Sequence, residues 1–428
     1  MFLRSVQRND DAAFALLKLA AASGGTDPAP TVALAEFTAA RRNDIEKAES
    51  IFNSALEVAP KSVRALTSAA EFHAVFKGDL TRAEALFDQA LEADPASTDA
   101  LLAYGRYLHT KRGDQTRAEA MFKRAIELDP GSAEITAEYA RFRDEVLVDD
   151  EGAEDTFRKA INLDPRDATV LTHYGRFLQF SRRKPNAAED RLRKAVSMEP
   201  RNAFALRSYG SFLILERKSK EEGERYLRRA VSAAPSDGEA LGDLAEFLSK
   251  NPAKREEAEE MFRRALAADQ SNKRTLRRYA RFVGEAKGDT DAAEELYRQV
   301  LDDQPRDARA LGGSAHAMLV QGRLQEGLEL LEKAFDAAMG DEPRRRSIDL
   351  LLELWFYRYA FDSLAKGDAI KAVIWLLKEG AKVTRTDLSP IVARAISDDH
   401  PEPDILRELE RVVSGSVAAE RLERFNVA

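Results

Sequence analysis

A proline that returns every 35 residues constrains this chain more than any other feature. Pro60, Pro95, Pro130, Pro165, Pro200, Pro235 and Pro305 fall on one lattice, and the vacant site between the last two holds Gln270. Each closes the same phrase, read as ALEVAP, ALEADP, AIELDP, AINLDP, AVSMEP, AVSAAP and VLDDQP, with ALAADQ at the exception. A fixed period between ~20 and ~50 residues specifies a solenoid, because one such unit buries its apolar face only by stacking on its neighbours.

The spacing inside the period is helical. Leu101, Tyr104, Gly105 and Leu108 fall on one side of a first helix, and Ala118, Phe122 and Ala125 do the same for a second. Between them lies KRGDQTR, where Gly113 suits a left-handed helix stop and Asp114 or Thr116 can cap the next start. The closing proline has no N–H to continue the second helix. No strand-like alternation of any length appears. The expected fold is all-α, a solenoid of helix pairs.

These residues resemble the tetratricopeptide repeat family, with a small residue in helix A and Ala, an aromatic, Ala and Pro along helix B. The small residue recurs as Ala35, Ala70, Gly105, Ala140, Gly175, Gly210, Ala245, Ala280 and Ala315. The first helix B alanine is Ala48, Ala83, Ala118, Ala153, Ala188, Ala258 and Ala293, with Gly223 and Gly327 substituting. The resemblance covers roughly residues 26–340 and implies an all-α, right-handed α-solenoid (superhelix) of stacked antiparallel helix pairs in nine units: 26–60, 61–95, 96–130, 131–165, 166–200, 201–235, 236–270, 271–305 and 306–340. Residues 1–25 are then an N-terminal helical cap and residues 341–428 a C-terminal cap or extension, opening with a long apolar helix over Ser347–Lys366.

The departure is the period. The family repeats at ~34 residues, and eight of these units carry one residue more, placed before helix B; the ninth reverts. An aromatic also recurs at Phe37, Phe72, Tyr107, Phe142, Phe177, Phe212, Phe247 and Phe282. That phrase is similar to the half-a-TPR repeats of RNA-processing scaffolds, but their following acidic residue is replaced by His73, Leu108, Arg143, Leu178 and Leu248.

Composition narrows the chemistry. With no cysteine there are no disulfides, thiolate ligands or thiol nucleophiles. The five histidines, at 73, 109, 173, 316 and 400, form no metal-ligand spacing, and neither a phosphate-cradling GxxxxGK[ST] nor a GxSxG elbow is present. The chain is therefore expected to be no enzyme and to use no cofactor and no metal. A net charge of −8 exerts no global pull on nucleic acid or anionic membranes. Arg and Asp interrupt the apolar stretches of the first 25 residues, so no secretory signal is expected; no later run reaches the ~18 apolar residues of a spanning helix. The expected location is cytoplasmic.

What remains is the face of helix A opposite its core stripe, which the resemblance implies lines the concave groove. One residue after the small position stand Glu36, Glu71, Arg106, Arg141, Arg176, Ser211, Glu246, Arg281 and His316; three before it stand Arg207 and Arg277, and Arg274 extends the latter into a stripe. Arg141 has Glu138 and Glu145 on its own helix and Arg281 has Glu285, whereas Arg106, Arg176 and Arg207 have no acid three or four residues away. Neighbouring repeats are left to supply one. Guanidinium forks in this register suit an anionic ligand. Trp355 and Tyr359, in the aromatic row after the ninth unit, are a possible second surface. The expected function is a non-catalytic protein-interaction scaffold holding a peptide segment of another protein, possibly acidic, in the concave groove. A single-stranded RNA scaffold or a regulatory subunit of a separate enzyme are the alternatives, and neither a membrane nor nucleic acid is the expected partner.

Overall fold

The computed structural model describes residues 2–23, 25–42, 44–269, 272–340, 348–362, 364–383 and 386–417; Gln270, the exception in the proline lattice, lies outside them. Every described element is helical. The chain forms two compact units, residues 1–243 with 264–271 and residues 244–263 with 272–428.

In the first unit, α1 (Phe2–Ser23) packs on α2 (Ala29–Arg42), which pairs with α3 (Ile45–Val58). The pairs α4 (Val63–Phe72) with α5 (Leu80–Ala93), α6 (Thr98–Tyr107) with α7 (Gln115–Leu128), and α8 (Ala133–Glu145) with α9 (Asp150–Leu163) follow. Then come α10 (Ala168–Phe180) with α11 (Pro185–Met198) and α12 (Ala203–Leu215) with α13 (Lys220–Ala233). Helices α14 (Gly238–Ser249) and α15 (Arg255–Ala268) each contribute to both units. The second unit continues with α16 (Lys273–Lys287) and α17 (Thr290–Asp303), α18 (Ala308–Gln321) and α19 (Leu324–Gly340), and α20 (Ile348–Phe361) and α21 (Lys366–Lys378). It ends in α22 (Ser389–Ser397) and α23 (Pro403–Val413). In each unit these pairs stack as a solenoid.

The long helix expected over 347–366 is shorter than the apolar pattern suggested, since α20 stops at Phe361. There the Asp362 carboxylate accepts the backbone N–H groups of Leu364 and Ala365 and turns the chain into α21.

Two backbone devices recur at the repeat period. Every helix A from α4 onward in the array begins on a capping side chain: Ser62, Ser97, Ser132, Asp167, Asn202, Asp237, Asn272 and Asp307 each accept the N–H three residues on. Such caps satisfy an otherwise orphaned donor and contribute ~1 kcal/mol each. The second device is the turn between A and B. Gly78, Gly113, Val148, Arg183, Lys218 and Gly288 all take positive φ, between 52° and 68°. After each, the next residue donates its N–H back over six residues, as Asp114 does to Leu108 and Ser219 to Leu213. In the ninth pair Arg323 reaches back over five, to Met318. The extra residue of the 35-residue units thus sits in this turn, and α4 and α6 absorb it by widening into a π-turn over His73–Lys77 and Leu108–Arg112.

The small helix A residue is where helix B comes closest. A Cβ on Gly175 would lie 2.8 Å from Leu192 Cγ, and one on Gly105 would lie 3.1 Å from the Phe122 ring. The recurrent aromatic wedges between pairs: Phe122 packs on Phe142 at 4.9 Å and Phe157 on Phe177 at 5.2 Å between ring centres.

Candidate functional site

The arginine ladder of the first unit is carried on α6, α8, α10 and α12, held in register by the caps and by the small residues at 105, 140, 175 and 210. Arg106 is half exposed and reaches Glu71 on α4 at 3.9 Å and Glu138 on α8 at 3.8 Å, beyond hydrogen-bonding range for both. Burial raises the Glu71 carboxyl above its ordinary range against the pull of Arg106, with Glu36 adding to the rise. Arg141 pairs along its own helix, at 2.8 Å with Glu138 and 3.8 Å with Glu145. Arg176 lies 5.7 Å from the centre of the Phe180 ring and 5.9 Å from that of Phe204. Arg207 covers the same Phe204 ring at 5.2 Å and pairs with Asp243 at 3.0 Å and Glu239 at 3.6 Å.

Three of these cations converge. Burial, together with Arg141, Arg176 and Arg207, pushes the His173 imidazole down to about 3, so it stays neutral at physiological pH. Its ring lies 4.8 Å from Phe204. The result is a face on α8, α10 and α12 of a neutral imidazole and a phenyl ring bordered by guanidinium groups. A carboxylate approaching it would meet planar donor forks over an aromatic floor.

The acids nearest Arg106 and Arg207 come from neighbouring A helices, at separations of 32 to 36 residues, whereas those of Arg141 sit on its own helix. Side-chain exposures of 13% for Arg207 and 7% for Asp243 make that pair a bridge between adjacent helices. Arg106 is the opposite case, loosely held and open.

In the second unit the stripe is enclosed. Arg277 pairs with Asp307, the N-cap of α18, and burial pulls its pKa down. Arg281 faces Glu246, Tyr297, Glu285 and Glu353, which hold its charge in place against the cost of burial. Arg274 opens the same helix one turn earlier. Tyr359 is 2% exposed and donates its hydroxyl to Glu402, so it belongs to the core and not to a surface. Trp355 packs edge-on against Phe335 at 4.9 Å beneath the Arg358 guanidinium. The aromatic that the C-terminal helices do expose is Trp375, 57% accessible on α21. Among the described residues no helix is long and apolar enough to cross a membrane.

Two segments, 73–133 and 285–348, match the tetratricopeptide repeat family. No curated protein matches the sequence. Among solved structures, PilF of Pseudomonas aeruginosa is 23% identical over 51% of this chain and 96% of its own, with a TM-score of 0.38. Human IFIT1, solved as a dimer with m7Gppp-AAAA, is 17% identical over 87% of this chain and 90% of its own, with a TM-score of 0.49. Yeast Tom70 is 16% identical over 86% and 96%, with a TM-score of 0.46. At these identities and scores the likenesses carry no argument about a ligand.

Proposed function

We propose that this chain, a tetratricopeptide-like repeat protein, is a non-catalytic scaffold that holds an acidic segment of a partner protein along the groove face of α6, α8, α10 and α12. The observation that carries the reading is the convergence of Arg141, Arg176 and Arg207 on a part-buried, neutral His173. Solenoids use the continuous face of their A helices to take extended or helical peptides, and a row of guanidinium groups on that face selects acidic ones. The carboxylates that already touch the ladder mark the chemistry it accepts. A ligand carboxylate replaces the distant contacts of Arg106 with a direct one and leaves the Arg207–Asp243 bridge in place. Arg274, Arg277 and Arg281 belong to the same reading only where a segment reaches the second unit's groove.

A fluorescein-labelled oligoglutamate peptide tests this by anisotropy. It should bind with an affinity that falls as salt rises, and the double variant Arg106→Glu/Arg176→Glu should weaken it at least tenfold while helicity is retained. Equal capture of an oligolysine peptide, or unchanged affinity in the double variant, would overturn the proposal.

A further inference from the structure

The groove face of the last helix pairs in the second unit is covered by the chain itself. His316 follows the small Ala315, at the position that lines the groove elsewhere, and it is buried. Its Nδ1 lies 3.0 Å from the Tyr357 hydroxyl, which donates to Glu353 at 2.6 Å, so the imidazole Nδ1–H donates to the phenol oxygen. The Thr386 hydroxyl donates to the same Glu353 oxygen at 2.9 Å. The Glu285 carboxyl on α16 faces Asp387 of the same segment. From there α22 packs on α18 and α20, burying Ile391, Val392 and Ala395. The Arg394 guanidinium lies over Gly322, where a Cβ would come within 2.3 Å of it.

Among the described residues the seat is unbalanced in charge: Glu285 on α16, Glu353 on α20 and Asp387 of the segment face one cation, Arg281 on α16, with Glu246 beyond Arg281 and Glu410 beyond Asp387. The phenols of Tyr297 and Tyr357 are held neutral by burial. One oxygen of Glu285, Oε1, is buried with no hydrogen-bond partner among the described residues. An ionised carboxylate in that position would be costly.

We propose that Thr386–Ser397 is an intramolecular ligand of this groove, released when Glu285 loses its proton, so that pH governs whether the groove is open to a partner segment. This stands apart from the acidic-peptide reading, which concerns other helices. The seated form keeps a proton on Glu285, whose pKa burial raises to about 8 from 4.5, so seating weakens as pH climbs between those values. His316, lowered by burial to about 4 from 6.5, is seated without a proton, so its contribution weakens seating as pH falls from 6.5. Below about pH 6.5 the two effects oppose and largely cancel; above it only the Glu285 effect remains.

The absence of cysteine makes the test direct. Ala395→Cys, at a site 2% exposed, reports opening of α22 through its alkylation rate in the full chain, normalised at each pH to the same variant in urea. Val392→Cys is a second reporter should the first fail to fold, and Ala334→Cys on α19 reports unfolding of the unit. The normalised rate should rise about thirtyfold from pH 6.5 to 9 and change little from pH 6.5 to 5. With Glu285→Gln the alkaline rise should vanish and an acid rise of about tenfold should appear, from His316 alone. A flat profile, a profile unchanged by Glu285→Gln, or parallel labelling at Ala334→Cys would overturn the proposal.

Discussion

Lys218 occupies a backbone conformation that its equivalents in three other units reach with glycine. Its φ is 57°, against 66° at Gly78 and 68° at Gly113 and Gly288. The side chain is exposed. For a residue with a Cβ the left-handed region costs ~1–2 kcal/mol. Replacing Lys218 by glycine removes that strain and returns ~0.4–1 kcal/mol through the greater freedom of the unfolded chain. The difference predicts that Lys218→Gly stabilises the first unit by about 0.5–1 kcal/mol. The reciprocal Gly113→Lys should destabilise by a similar amount, because nothing lies within 4 Å of a Cβ there and backbone strain is the main cost. Urea unfolding followed by far-UV circular dichroism measures both, with hydrogen exchange of the α12 and α13 amides locating the change, since an array of stacked repeats need not unfold in one step. The double variant should return close to the parent midpoint. If Lys218→Gly lowers the midpoint, or Gly113→Lys leaves it unmoved, the turn is not held by its backbone conformation and the reasoning fails.

Three further outcomes follow from the packing. Gly175→Leu should lower the urea midpoint by ~1–3 kcal/mol equivalent or more, because even a Cβ meets Leu192 at 2.8 Å, whereas Gly367→Ala on α21, with nothing within 4 Å, should be neutral or stabilising. Arg207→Glu should cost ~3–5 kcal/mol by leaving Asp243 buried against a second carboxylate, while Arg106→Glu should cost under ~1 kcal/mol; equal melting temperatures for the two would refute the distinction between bridge and open donor. Ser97→Ala should lose ~1 kcal/mol with the cap of α6, and Thr98→Ala beside it should not, as paired denaturation curves will show.

The helix pairs, the closing proline and the Gly113–Asp114 turn were legible because they depend on residues a few positions apart, and Asp114 does cap α7 through the N–H of Arg117. The caps at Ser62, Ser97, Ser132 and onward are just as local, each two residues after a lattice site. The partners of the arginines were hidden for another reason. Glu71 is 35 residues from Arg106 and Asp243 is 36 from Arg207, one repeat away through space, so neither falls at the helical spacing of its arginine and both fall at the repeat period. The cover over the second unit's groove left no trace in the pattern, since Thr386 meets Glu353 across 33 residues where the sequence no longer repeats. Tyr359 was misplaced because an aromatic row on a terminal helix does not reveal that two later helices fold back over it.

The recurrence of the same two backbone bonds every 35 residues has a genetic consequence. A segment cut from Ser97 to the residue before Ser132 begins and ends on equivalent caps and contains one whole turn with its six-residue bond from Asp114 to Leu108. Excising or duplicating such a cassette therefore joins like to like: the new junction inherits a capping hydroxyl and the residues on either side still find the small-residue and aromatic positions they pack against. Chains of this lineage are free to lengthen and shorten by unequal recombination in steps of 35 residues, and the single extra residue in the turn, once acquired by one unit, is copied with it.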